Sequence, residues 1–304
     1  MIFKDLLEKF SPILEKEFEK IFDNCIKNQA HIGDSIIWKE NGFYQELFKD
    51  FTSEGKKFSP YVIGPGIEGI SDMTHYDFIN QYRHSNISNL TFEEYLKNVE
   101  YSSERQKEID EIVQFESMSV QIEMLIYLKL WEADLMIKRL YNLTRIVNGE
   151  PFDWHFKILE SSRDSVGTGT RQDIIRKKVR DKLRKRQPVL SDWITNAYKT
   201  QIRNSIAHSN YSISGRTISL NNYIKDDPAS QMHGISFDEW HDIFHKSLLL
   251  HNQLIWLANK INDFYAAKYL QGEKIIIQTP KIDDYNNIHE LTYREKYKIW
   301  SYKQ

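Results

Sequence analysis

Apolar residues recur every three to four positions from Ile2 to Asn28 (Leu6, Phe10, Leu14, Phe18, Ile21, Phe22), the spacing that puts one stripe on one side of an α-helix. A second, shorter helical pattern follows over Ile36 to Phe51. From Thr52 to Asn89 the chain is rich in Gly, Ser, Asn and Asp with no sustained period. That stretch predicts loop, with one short strand at Tyr61 to Ile63, and the boundary between two domains. Thr91-Phe-Glu-Glu94 and Ser103-Glu-Arg-Gln106 both fit the capping box, in which a hydroxyl and a carboxylate or amide three residues on satisfy free amides at a helix start. The second of these helices is expected to run through Ile109, Val113, Val120, Met124, Leu128, Trp131 and Leu135 to Val147, stopping at Gly149 and Pro151. Unbroken, it would hold about 45 residues and reach ~65 Å, a length that spines a helical bundle or a dimer interface.

Ser161 to Thr170 is a polar, Gly-containing stretch without the Gly-Lys-Ser/Thr ending of a phosphate-binding loop, and predicts a flexible linker. Arg171 to Arg186 carries nine Lys or Arg against two Asp, with Ile175, Val179 and Leu183 as a narrow apolar stripe: a basic amphipathic helix. Pro188 is expected to end it, and Ser191 to cap a helix running through Trp193, Ala197 and Ile202 into Arg203 to His208. Tyr211 to Leu220 alternates around Ser-Gly-Arg as a hairpin would, and Ser236-Phe-Asp-Glu239 caps a last long helix through Trp240, Phe244, Leu248, Leu257 and Phe264. The fold class is mainly α, a helical bundle with a small β-hairpin after the motif helix. The expected divisions are an extra helical N-terminal region (1–90), the bundle (91–270) and a C-terminal extension (271–304).

With 304 residues, 40% hydrophobic, the chain can bury a full core, and 41 Lys+Arg against 43 Asp+Glu leave a net charge of −2 that selects no partner. The lone Cys25 reads as a small buried hydrophobe, and the amphipathic start lacks a signal-peptide core, so a cytoplasmic protein is expected. No stretch approaches the ~18 apolar residues of a membrane span.

The candidate chemistry lies in Arg203-Asn-Ser-Ile-Ala-His208. Asn204 and His208, four apart, share a helix face, and the long Arg203 guanidinium projects from a neighbouring angle. Cleaving RNA by internal transesterification needs a group titrating near neutrality to move a proton and a fixed cation to hold charge on the phosphoryl oxygens. The ribose hydroxyl is itself the nucleophile, so neither metal nor cofactor is called for. From the residues alone, the same pair equally suits a helix end, with His favoured by the dipole and Arg holding a surface carboxylate.

Arg-Asn-x-x-Ala-His near the end of a helix resembles the signature of the HEPN superfamily of small helical ribonucleases and nucleotide-binding domains. The long helix before it, the hairpin after it and the long closing helix resemble the HEPN bundle over roughly Ser103 to Leu270. The resemblance implies a homodimer in which motifs from two subunits face one cleft, and metal-independent cleavage leaving a cyclic phosphate. Arg203 would hold the scissile phosphate, His208 would transfer the proton and Asn204 would orient one of them. The implied use is a toxin or abortive-infection effector in antiviral defence, with a regulatory partner protein; residues 1–90, an extra helical segment outside the bundle, are expected to regulate the site. The alternative is a catalytically silent HEPN-like module that binds RNA, a nucleotide or a protein partner. A subgroup paired with nucleotidyltransferases has Tyr two residues after the His; here Tyr211 comes three after.

The basic helix, through Arg176, Lys177, Arg180 and Arg184, is the candidate RNA-binding surface. His241-Asp-Ile-Phe-His245 resembles a zinc-protease helix with Asp in place of the general-base Glu, and reads as polar residues on a bundle helix. Gly64-Pro-Gly-Ile-Glu-Gly69 matches the dinucleotide fingerprint only formally and reads as a turn. Glu116, Glu123, Glu132 and Asp134 receive no role, and Trp131, Trp193 and Trp240 read as core.

Overall fold

The computed structural model describes residues 1–50, 52–53, 56–57, 59–160, 167–228, 230–282 and 287–303. It is mainly helical. The chain divides into two compact units that interleave along the sequence: Met1–Glu15, Met73–Ala133 and Val189–Asn252 belong to the first, and Lys16–Asp72, Asp134–Pro188 and Gln253–Gln304 to the second. Each unit therefore draws on residues from both sides of position 90.

Strand β1 (Ile2–Phe3) leads into helix α1 (Lys4–Lys27), as the periodicity predicts. Over 36–51 the helix is shorter than expected: α2 (Asp34–Lys39) gives way to β2 (Phe43–Tyr44) and a 3-10 turn, Glu46–Asp50; Phe51 lies outside the described residues. A small hairpin, β3 (Thr52–Ser53) with β4 (Lys56–Lys57), precedes β5 (Tyr61–Val62). The expected loop is then replaced by α3 (Gly66–Ser85), whose Ile67, Ile70 and Met73 remain exposed. A helix without a continuous buried stripe leaves no period to read. Of the Gly64–Gly69 segment, Gly64 and Pro65 precede α3 and Gly66 to Gly69 form its first turn rather than the expected loop turn; β5 pairs antiparallel with β2, unlike the parallel unit of a dinucleotide fold.

After β6 (Ile87–Ser88), α4 (Phe92–Asn98) opens on the expected capping box, with both Thr91 and Glu94 bonds present. The Ser103 box does not form: α5 (Gln106–Glu132) begins with Arg105 at the cap, so Gln106 falls at the first helical residue rather than the third. Nor is there a single helix to Val147. Ala133 takes an extended conformation (φ −66°, ψ 124°), and α6 (Asp134–Val147) starts anew with Asp134 in its first turn, where an acid suits the dipole. The two helices lie in different units, so packing overrides a local propensity that has no Gly or Pro to mark the break.

Of the 161–170 stretch, residues 161–166 lie outside the described residues. The basic segment is helical: α7 (Arg171–Asp173), a π-helix (Ile174–Arg180) and α8 (Asp181–Leu183). Pro188 opens α9 (Pro188–Ala197) rather than ending its predecessor, since a first helical position needs no amide hydrogen; Ser191 is buried inside that helix. The chain breaks again before α10 (Thr200–Ala207), which carries the motif. The expected hairpin, β7 (Tyr211–Ser214) with β8 (Thr217–Leu220), gains a third strand, β9 (Gly234–Ser236). Ser236 and Glu239 then cap α11 (Phe237–Leu270) reciprocally. Strands β10 (Ile275–Gln278), β11 (Ile288–Arg294) and β12 (Ile299–Tyr302) form an antiparallel sheet in that order. Among the described residues no helix is long and apolar enough to cross a membrane.

The first unit buries Phe3, Met124, Tyr127, Trp131, Trp193, Ile202, Trp240 and Phe244, and the second Phe18, Cys25, Trp38, Ile137, Ile175, Leu257 and Trp300. Trp131, Trp193, Trp240 and Cys25 are thus core residues, as expected.

Candidate active site

Helix α10 is held at its start within the first unit. The Tyr127 hydroxyl of α5 donates to the Ala197 carbonyl (3.1 Å) and accepts the Lys199 amide (3.0 Å). Those backbone groups are freed where α9 stops, so one buried phenol satisfies the break that separates the two helices. Two residues on, Gln201 exchanges two bonds with the Met232 backbone (2.7 and 3.0 Å) and accepts Asn222 Nδ2 on its carbonyl (2.9 Å). These contacts fix the helix that carries Arg203, Asn204 and His208.

The helix ends in a Schellman turn: Ser209 N–H donates to Ile206 O (3.1 Å) and Asn210 N–H to Ser205 O (2.7 Å). Ser209 takes the left-handed conformation (φ 52°) where Gly is usual, and Ser205 Oγ closes the turn on the Asn210 carbonyl. His208 is the C-cap and is exposed, and its ring has no hydrogen-bond partner among the described residues. Asn204, one turn earlier on the same face, is half-buried. Arg203 is largely buried and pairs with Glu132 at the end of α5 (Nη1–Oε1 2.8 Å). Glu132, to which sequence reasoning gave no role, is the residue this ion pair joins to the motif. It lies far from Arg203 in sequence, and its only signal was its place at a helix end that the sequence did not reveal.

The candidate RNA-binding residues Arg176, Lys177, Arg180 and Arg184 lie in the second unit, the motif in the first. Ile174, Ile175, Val179 and Leu183 are buried, as an amphipathic helix requires. Part of the charge is compensated: Lys177 pairs with Asp173 (2.9 Å), Arg180 with Asp181 (2.8 Å), Lys182 with Glu150 (2.8 Å) and Arg171 with Asp134 (2.6 Å). Arg176, Arg184 and Lys185 make no ion pair among the described residues.

A second constellation lies buried in the first unit. Glu116, wholly buried, accepts a bidentate pair from Arg216 (2.8 and 2.9 Å) and shares a hydrogen bond with His241 Nε2 (3.0 Å). Arg216 sits in the two-residue hairpin loop behind Gly215 (φ 54°) and also donates to Asp238 (2.7 Å). Burial pushes the Glu116 carboxyl up, but the bonds from Arg216 and His241 more than reverse this and hold it at about 2. Glu123, equally buried, accepts Trp240 Nε1 (2.8 Å), the Tyr82 hydroxyl (2.8 Å) and the amino group of Met1.

His241 and His245 do not offer paired lone pairs to a metal. His245 Nε2 accepts the Phe3 amide (2.9 Å), so its Nδ1 carries the proton and donates to His241 O (2.7 Å). Burial, with His241 nearby, lowers the His245 pKa to about 3 and keeps the ring neutral. A concavity of about 420 Å³ is lined by Asn196, Lys199, Asp238, Glu239, Asp242 and Ile243. It includes the residue before α10 but not Arg203, Asn204 or His208. No family model matches the chain, and neither a curated protein nor a solved structure matches it.

Proposed function

We propose that the chain is a HEPN-type endoribonuclease that cleaves RNA by transesterification without a metal. The observation that carries this reading is the end of α10, where the Schellman turn presents an unpartnered His208 imidazole to solvent five residues after an Arg203 anchored by Glu132. His208 takes the proton of a ribose 2′-hydroxyl, the 2′-oxygen bonds to phosphorus, and the P–O5′ bond breaks. The 5′-oxygen leaves with a proton, and the other fragment keeps a 2′,3′-cyclic phosphate. Arg203 holds the charge on the phosphoryl oxygens, and Asn204 orients His208 from one turn away. In a homodimer with motifs facing one cleft, the second His208 supplies the leaving-group proton. A toxin or abortive-infection role in defence fits an enzyme that acts on cellular RNA, under the control of a partner protein.

One observation favours the silent alternative: the Arg203 charge is already met by Glu132, so phosphate must compete with a carboxylate for it. Incubating the protein with mixed cellular RNA in excess chelator separates the readings. Fragments ending in cyclic phosphate support the enzyme; RNA retained without cleavage supports a binding module and overturns the proposal.

The basic segment supplies the RNA contact in this reading. Replacing Arg176, Arg180 and Arg184 together by Ala is expected to weaken RNA binding and reduce the slope of log affinity against log salt by up to about 3, near one for each phosphate that is no longer neutralised. Filter binding at several salt concentrations measures it, and an unchanged slope removes the segment from the interface. Deleting residues 1–89 is not a clean test of regulation, because Met1–Glu15 belongs to the motif's own unit and Phe3 N–H is bonded to His245.

A further inference from the structure

Helix α5 turns two unlike faces outward and inward. Its inner face buries Ile109, Val120, Met124, Tyr127 and Trp131, along with the two carboxylates described above. Its outer face is also apolar: Phe115 is 72% exposed, Met118 56%, Ile122 40% and Leu125 55%. These four follow a 3-4-3 spacing, the a and d positions of two heptads. At 100° per residue they fall within an arc of about 80°, and the next positions on the same line are Glu111 before them and Lys129 after. The flanking exposed residues Gln114 and Gln121 are uncharged. Phe78 extends the patch, since the Lys129 ammonium stands 5.4 Å from its ring centre. Four large apolar side chains in a row on one helix are costly to leave in water and mark an interaction surface.

The geometry points to a second copy of this chain as the occupant, with α5 packed antiparallel on α5 about a two-fold axis level with Val120. A two-fold at that level pairs residues whose numbers sum to 240. Phe115 then meets the partner's Leu125, Met118 meets the partner's Ile122, and each interaction occurs twice. The same register brings Glu111 opposite the partner's Lys129 at both ends, so the apolar seam is closed by two ion pairs of opposite sign. A parallel pairing would set Glu111 against itself and Lys129 against itself, which selects the antiparallel one. The seam is self-complementary in its apolar positions and its charges, as a two-fold interface must be.

The seam is also separate from the proposed cleavage site. Glu132, which holds Arg203, lies twelve residues from the axis, so the two Arg203 anchors stand about 36 Å apart along the paired helices. The α5 pairing joins copies without merging their motifs, so it is a contact additional to the motif-facing one of the proposed nuclease, and it holds whether or not the chain cleaves RNA.

Sedimentation of the full chain tests it, with melting temperature as the control for folding because every altered side chain is at the surface or at its edge. Ile122→Glu is expected to halve the mass of the assembly at the highest concentration reached. Glu111→Lys alone, or Lys129→Glu alone, introduces two like-charge contacts per dimer and is expected to weaken association about tenfold. The double variant Glu111→Lys with Lys129→Glu restores the opposite signs and is expected to recover the wild-type affinity. An Ile122→Glu mass equal to that of wild type overturns the proposal. A double variant no tighter than the singles overturns the antiparallel register, and a different protein bound through Ile122 by an otherwise unpaired chain overturns the identity of the occupant.

Discussion

His208→Ala is expected to lower the rate of RNA cleavage by about 10²–10⁴-fold, the usual contribution of a positioned proton-transfer group. His208 is exposed, and its backbone rather than its ring makes the helix-end bonds, Asn204 O accepting its N–H at 3.1 Å. Truncating it should therefore change stability by no more than about 0.5 kcal/mol, as for other surface positions. Arg203→Ala differs in kind. It removes the cation and leaves the Glu132 carboxylate facing the gap, so cleavage should fall and the melting temperature should drop with it. The measurement is the initial rate on one defined RNA in excess chelator, beside thermal unfolding of each variant. A His208→Ala protein that cleaves at the wild-type rate refutes the assignment.

What the sequence made legible was local. The α1 stripe, the Thr91 and Ser236 capping boxes, the hairpin around Gly215 and the burial of Cys25 and three tryptophans all follow from residues within a few positions of one another. What it hid depends on partners far along the chain. The break at Ala133 has no Gly or Pro to announce it and follows from packing. The break before α10 is sealed by Tyr127, some seventy residues earlier. Helix α3 has a helical backbone but no apolar stripe, and β10 to β12 are strands whose pairing no single segment encodes. The motif itself was legible because Arg203, Asn204 and His208 are one helical segment. Glu132 was not, and the Glu116–Arg216–His241 cluster joins a mid-helix acid to a hairpin loop and a third element. The outer face of α5 was half legible: its apolar residues were visible in the sequence, but only burial of the opposite face shows that they are left over.

Arg216→Ala is expected to destabilise the first unit by about 3–5 kcal/mol at neutral pH, the cost of leaving one member of a buried ion pair unpaired. Glu116 is wholly buried, and without the guanidinium its hydrogen bond with His241 is left to oppose the penalty of its burial. The pH dependence follows from the same pair. The Glu116 carboxyl is held at about 2 in the folded chain against 4.5 for the free group, so the folded state resists its protonation. A carboxylate depressed in this way contributes stability fully above pH ~4.5 and loses it as the pH falls towards ~2, an amount of roughly 3 kcal/mol for that shift. In Arg216→Ala the depression is lost, and protonation at low pH relieves the unpaired charge. The gap between wild type and variant should therefore be widest near pH 7, narrow by roughly 2 kcal/mol by pH 3, and close only towards pH ~2. Glu116→Gln, which never carries the charge, should lack this acid-sensitive component altogether. Urea unfolding of the three proteins from pH 7 to pH 3 reads both effects. A gap under about 1 kcal/mol, or one that does not change with pH, would show that Arg216 is not what keeps Glu116 ionised.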